Sequence, residues 1–336
     1  MKTFALVFLL PVLLFIASGK SPAETVQKGT LHPQEQPPAT AQIVKIGFYP
    51  VSVHQLDIAN STYYIDTYVW LRWKGDIDPT KTIEFVNMVE DWARQLSFLL
   101  PKPKREADGS FYQIMRLEGR FNQPFSLSDF PLDQQRLSIK VEDQTYGIDR
   151  LAFVIDTKDS GVGDLVRIPG WNLEGWKAET FAHDYQTDFG DKDTPQVYSM
   201  ARFSIEISRP VSFFFWKLLL PLFMVIIAAI AALLIRPQLL GERAALPAAA
   251  LLSAIFLQKS YSDSLPDLGY LVLMDQIYLI AYPLIILTLI RVIYAYLQVE
   301  DAKITQVRAV HRTDLRLLAL FLAIFVVGVA LIVALR

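Results

Sequence analysis

The sequence predicts a β-sandwich followed by an all-α domain of four membrane-spanning helices. Three observations predict it. Apolar residues make up 52% of the 336, yet nearly all the long apolar runs lie after Arg209. From Ala41 to Ser208, short runs of alternating polarity are separated by Gly, Pro, Asp and Asn clusters, the pattern of many half-buried strands. After Arg209 come four apolar segments, each long enough to cross a bilayer. The balance of 32 Lys and Arg against 34 Asp and Glu excludes a strongly basic nucleic-acid binder, and the apolar content excludes a disordered chain. With no cysteine, there are no disulfides, thiolate metal sites or thiol nucleophiles.

Residues 1–19 have the layout of a cleavable secretory signal: Lys2, an apolar stretch from Phe4 to Ile16, then Ala17, Ser18 and Gly19. Residues 20–40, with Pro22, Pro33, Pro37 and Pro38, read as a flexible leader. Residues 41–209 form the predicted β-sandwich. Its clearest strand is Thr62 to Trp73, with Tyr63, Ile65, Val69, Leu71 and Trp73 on one face and Tyr64, Asp66, Tyr68, Trp70 and Arg72 on the other. Further strands are expected at Gln42 to Leu56, Phe111 to Leu117, Gln135 to Glu142, Leu151 to Asp156, Trp171 to Phe181 and Val197 to Ser208, with a helical turn near Met88 to Leu96.

Residues 210–336 hold the predicted spans, Phe213 to Ile235, Ala244 to Ser262, Leu271 to Leu297 and Leu315 to Leu335. An exported β-domain places Arg236, Arg243, Lys303, Arg308, Arg312 and Arg316 in the cytoplasm and Asp263 and Asp267 outside, as the positive-inside rule requires. The second span is rich in small residues and bounded by charges. Close packing of small residues would bury such a helix. A pore-lining role is the alternative, because Glu242, Ala245, Ala249, Leu252, Phe256 and Asp263 share one stripe at helical spacing. Several copies around an axis would stack charged rings at both ends and an apolar constriction between them. Pro247 interrupts the backbone hydrogen bonding of this helix.

Enzyme chemistry finds no site, since His32, His54, His183 and His311 are scattered and no phosphate loop or metal-spaced pair exists. The loop carrying Asp184, Asp188, Asp191 and Asp193, threaded by Tyr185, Phe189 and Tyr198, suits a cationic amine. A solvated hairpin or a calcium-like divalent cation held by those oxygens are the other readings.

The order of signal, β-sandwich and four helices resembles the pentameric ligand-gated ion channels, the Cys-loop receptor superfamily, in its prokaryotic branch. Phe130-Pro131-Leu132-Asp133 resembles the family's Phe-Pro-x-Asp signature, without the two bracketing cysteines, as in bacterial members. Arg209 and Pro221 match the junction arginine and the first-helix proline. Gly241-Glu242-Arg243 is similar to the Gly-Glu-Lys that opens the pore helix of cation-selective members, and Leu251-Leu252-Ser253 falls in step with its Leu-Leu-Ser. Leu265-Pro266 and Asp275-Gln276 resemble the outer turn and third helix of bacterial channels. The chain departs from the family in lacking a tryptophan near Glu142 to Tyr146 and in carrying Pro247.

The resemblance implies a homopentamer, one chain with four identical subunits around a central pore, in the bacterial inner membrane with its N-terminal domain in the periplasm. It implies a cation-selective channel that is not an enzyme and has no resident cofactor. Its partners would be membrane lipid and a small-molecule, proton or cation ligand, with calcium or another divalent cation as a modulator. Ligand contacts would come from Glu142, Tyr146, Tyr185, Phe189, Tyr198 and Trp92, facing Tyr68 and Arg116 across the subunit boundary. Gating would pass through Asp57, Phe130, Pro131, Asp133, Arg209 and Pro266, with Arg209 paired to Asp133 or Asp57. A membrane-anchored periplasmic sensor that does not conduct is the rival reading.

Overall fold

The computed structural model describes residues 29–34, 36–89, 95–299 and 304–336. It divides into two units. One contains Gln134–Arg209 and the described residues up to Ser126; the other joins Pro210–Arg336 to the short segment Leu127–Asp133.

The first unit is built from two sheets. One runs β1 (Thr30–Pro33), β11 (Asn172–Asp184), β12 (Val197–Ser208), β9 (Gln134–Asp143) and β4 (Ile83–Phe85). The other runs β10 (Leu151–Ile155), β2 (Gln42–Asp57), β3 (Thr62–Trp73), β8 (Phe111–Asn122) and β5 (Met88–Val89), with β6 (Gln95–Phe98) and β7 (Lys104–Arg105) also on β8. Alternation along β3 sends Tyr63, Ile65, Val69, Leu71 and Trp73 into one core with Leu137, Ile139, Phe203 and Ile205 of the opposite sheet. Phe48 and Phe203 stack across that core at 5.3 Å.

The outer face of β3 is not wholly wet. Trp70 is 9% exposed and lies over Gly47 of β2, where a Cβ would meet the indole at 2.2 Å. Its Nε1 donates to Asp156 at 3.1 Å, and the Lys45 ammonium approaches the same carboxylate at 2.8 Å. Burial alone would raise the Asp156 pKa, but Lys45 and Trp70 outweigh it and hold the carboxyl below its ordinary value. This contribution to stability is present above the unfolded value, about 3.9, and is lost as pH falls through the lower folded one.

The structure corrects one expectation in this unit. Part of the leader is a strand, since β1 pairs with β11 from Thr30↔Asp184 to Pro33↔Phe181. The exposed edge of β11 offers backbone groups that a passing segment of any composition can satisfy. Near Met88 to Leu96, Met88–Val89 form β5 and Gln95 and Leu96 begin β6, both on the edge of β8, while the helical turn expected between them falls on residues 90–94, outside the described residues. Strands of two to four residues are too short to display an alternating pattern, and the long ladder of β8 creates them.

The second unit holds four helices long and apolar enough to cross a membrane. The first, α1 (Val211–Leu234), passes through a π-helical segment at Phe214–Leu219 and ends in a 3₁₀ turn at Ala232–Leu234. Pro221 follows the π segment; it has no N–H to continue the ladder, and a wider turn absorbs the gap. The others are α2 (Leu240–Ser262), α3 (Leu273–Val299) and α4 (Ile304–Ala334). α2 continues through Pro247, which is buried. α4 begins at Ile304 rather than at Leu315, because its polar first turns depress hydropathy without opposing helix.

Gly47→Ala should force the indole of Trp70 from its place and cost about 2 kcal/mol. In a thermal melt of the detergent-solubilised chain, followed by the near-UV signal of the β unit, the midpoint should fall by roughly 4–8 °C.

Candidate functional site

The residues of the small-sided helix divide cleanly by burial. Arg243, Pro247, Ala250, Ala254 and Tyr261 are buried, at the spacing of one helix face. Glu242, Ala245, Ala249, Leu252, Phe256 and Asp263 are all exposed. Leu252 is 56% and Phe256 64% accessible, so the stripe expected from spacing is a continuous open face within one chain.

Polar anchors hold α2 in this rotation. At one end Arg243, 0% exposed, donates from Nη2 to Asp314 of α4 at 2.7 Å and from Nε to the Ala232 carbonyl of α1 at 3.0 Å. Arg291 of α3 donates from Nε to the other oxygen of Asp314 at 2.7 Å. All four helices are thus tied together by the buried Arg243–Asp314–Arg291 cluster. At the other end the Tyr261 hydroxyl donates to Asp275 of α3, which also accepts from Val272 N at 3.1 Å and Gln258 Nε2 at 3.2 Å.

The Leu127–Asp133 segment packs here. The Phe130 ring stacks on Tyr261 at 6.0 Å, Leu273 N donates to Ser128 O at 2.9 Å, and Met274 N donates to Phe130 O at 3.2 Å. Arg336, two residues past the end of α4, bonds Asp129 at 2.6 Å. Phe130, Pro131 and Asp133 are buried, and Pro266 is half-buried in the α2–α3 turn. Of the acids expected beside Arg209, Asp57 accepts from the backbone N and the Nδ2 of Asn60, bonds that hold its carboxyl below its ordinary pKa. The Arg209 guanidinium lies over the Trp171 ring at 4.2 Å. Asp263 is paired with Lys259 one turn back, which offsets its charge in the expected outer ring.

In the β unit a second cluster forms around Glu142, which is 2% exposed on β9. The Tyr185 hydroxyl donates to Oε2 at 2.8 Å, and His183 Nδ1 lies 2.6 Å from Oε1. Phe189 and Tyr198 flank Tyr185 at 5.3 and 5.7 Å between ring centroids. Burial, and then the negative charge of Glu142, raise the Tyr185 and Tyr198 hydroxyl pKa values. Four of the expected ligand residues therefore come together. Tyr146 does not join them through any described contact: it packs on the core with Arg150 over its ring at 4.7 Å. Tyr68 and Arg116 lie on the other sheet, where Arg116 makes a bidentate pair with Asp66 at 2.9 and 2.6 Å. Trp92 lies outside the described residues.

The acidic loop is turned to its own backbone. Asp184, Asp188 and Asp191 accept from Gln186 N, Gly190 N and Asp193 N. Among the described residues no group of three His, Asp or Glu side chains is arranged to hold a metal ion. Sequence reasoning missed Asp314, Arg291, Tyr261 and His183 as structural partners. Arg291 as a base inside an apolar segment, Asp314 as the one acid among Arg308, Arg312 and Arg316, and His183 at strand spacing from Tyr185 were the available signals. No protein-family model and no curated protein matches the chain.

Asp314→Ala leaves two buried guanidinium groups without their shared counter-charge, a loss of about 3–5 kcal/mol. Size-exclusion profiles of detergent extracts after stepwise heating should show the variant aggregating well below the native chain, whereas Asp129→Ala, at the exposed pair with Arg336, should differ little.

Proposed function

We propose that the chain is one subunit of a pentameric, cation-selective, ligand-gated ion channel. The observation that carries this reading is the open face of α2, polar at its Glu242 end, small through Ala245 and Ala249, apolar at Leu252 and Phe256. A lipid-facing stripe has no use for an acid, whereas a lumen does. The motifs around Phe130 and Gly241, which resemble those of the Cys-loop receptor superfamily, support the same assignment.

In a ring of five, Glu242 side chains would raise the local cation concentration at the mouth of the pore. Leu252 and Phe256 would form a constriction narrow and apolar enough to dewet, closing the pore without filling it. Arg243 would not oppose cation entry, because its charge is buried against Asp314 on the opposite face of α2. The Glu142 cluster, with its carboxylate and aromatic rings, is suited to an ammonium ligand. The excess of arginine at Arg236, Arg308, Arg312 and Arg316 favours an inner-membrane protein with that end in the cytoplasm and the β unit in the periplasm.

Two substitutions test the pore. In planar bilayers under a salt gradient, Leu252→Ser should open without ligand, while Glu242→Gln should move the reversal potential away from the cation limit and lower conductance severalfold. A Leu252→Ser variant that stays closed, with unchanged ligand sensitivity, removes Leu252 from the gate. A native chain that purifies as a monomer defeats the channel reading, and a pentamer silent toward amines, acid and calcium removal favours the non-conducting sensor.

A further inference from the structure

Glu142 is withdrawn from water, yet among the described residues neither lysine nor arginine makes an ion pair with it. The position of a counter-cation is taken by His183, whose Nδ1 lies 2.6 Å from Oε1. Tyr185 donates to Oε2, so each carboxylate oxygen already has one partner from the chain itself. Because Glu142 is buried, with His183 against Oε1, an ammonium ligand drawn to that oxygen competes with the imidazole for it. We propose that His183 is a built-in competitor for that ligand: its imidazolium form holds Glu142, and acid therefore antagonises ammonium binding. The inference rests on the reading of this cluster as the ligand site.

The chemistry follows from charge. A neutral imidazole gives Glu142 one hydrogen bond, which an ammonium can replace while adding the charge that a buried carboxylate lacks. An imidazolium supplies that charge itself and repels a second cation brought to the same oxygens. Glu84 of β4 lies directly opposite Glu142 in the ladder and is exposed, and its negative charge adds to that of Glu142 in raising the Tyr185 hydroxyl pKa.

The other charged and titratable groups around the pair are engaged elsewhere or are of a different kind. On β9, Asp143 accepts from the Thr82 hydroxyl and from Thr145 and Tyr146 N, while burial lowers the pKa of Lys140. On β11, Asp184 caps Gln186 N, and on β12, Arg202 pairs with Glu179 at 2.8 Å and lies over the Phe181 ring at 4.3 Å. On β1, His32 Nε2 is 3.0 Å from the Thr30 hydroxyl, and Gly29 lies against the Nε2 edge of His183. Imidazole is the side chain that ordinarily changes charge between pH 5 and 8, and His183 is the imidazole in contact with Glu142.

Isothermal titration of the full-length protein in detergent with propylamine, at about pH 8 and about pH 5.5, tests the proposal. The native chain should bind about tenfold more weakly at the lower pH. In His183→Gln, or in His183→Phe if the first variant is not recovered folded, the ratio between the two pH values should fall to near one. A native affinity unchanged by acid, or variants that keep the native ratio, overturns the competition and leaves the ligand site standing. Propylamine that binds neither at about pH 8 nor at about pH 5.5 overturns the ammonium site and the competition with it; the channel reading is then judged separately from bilayer currents.

Discussion

A single carboxylate shared by two buried arginines determines how the second helix is turned. Charges this deep among apolar helices are costly unless their hydrogen-bonding groups converge, and Asp314 with Arg243, Arg291 and the Ala232 carbonyl nearly achieves that. Because Arg243 must point inward, Glu242, one residue before it, projects from the packed face. Tyr261 follows Arg243 by 18 residues, about five helical turns, and returns to the same face to meet Asp275. With both ends pinned, the residues between have no freedom of register. The open stripe is thus a consequence of where the buried polar groups sit as much as of its own composition.

The Tyr261 end differs in kind from the Arg243 end. Its partners are hydroxyl, amide and aromatic groups, weaker and more easily exchanged than a shared ion pair, and they include a segment that the chain supplies from between β8 and β9. A helix held rigidly at one end and by exchangeable bonds at the other is suited to tilt about its fixed end.

Sequence reading succeeded where periodicity was long. β3 and β12 agree residue for residue with the runs that alternate, and the spans agree to within a few residues wherever apolar character alone defines them. It failed where partners, not patterns, decide. β1, β5 and β6 exist because longer strands present open edges, and the polar start of α4 is helical because it continues a helix already formed. The α2 stripe was legible as spacing, but its exposure depended on the burial of Arg243, and nothing in a one-dimensional pattern pairs residue 243 with residue 314. The Glu142 cluster was half legible: its aromatics and acids were visible as a group, while the contact with His183 required the β9–β12–β11 order of the sheet.

The pairing of β1 with β11 has a consequence for how the protein can be handled. β11 is a long strand, and without β1 the ladder from Phe181 to Asp184 would present unsatisfied amides and carbonyls on a sheet edge that also carries aromatic side chains. Such an edge invites pairing with another chain. The four residues of β1 therefore act as a guard strand, and a chain without them would expose a template for aggregation next to the His183–Tyr185 cluster.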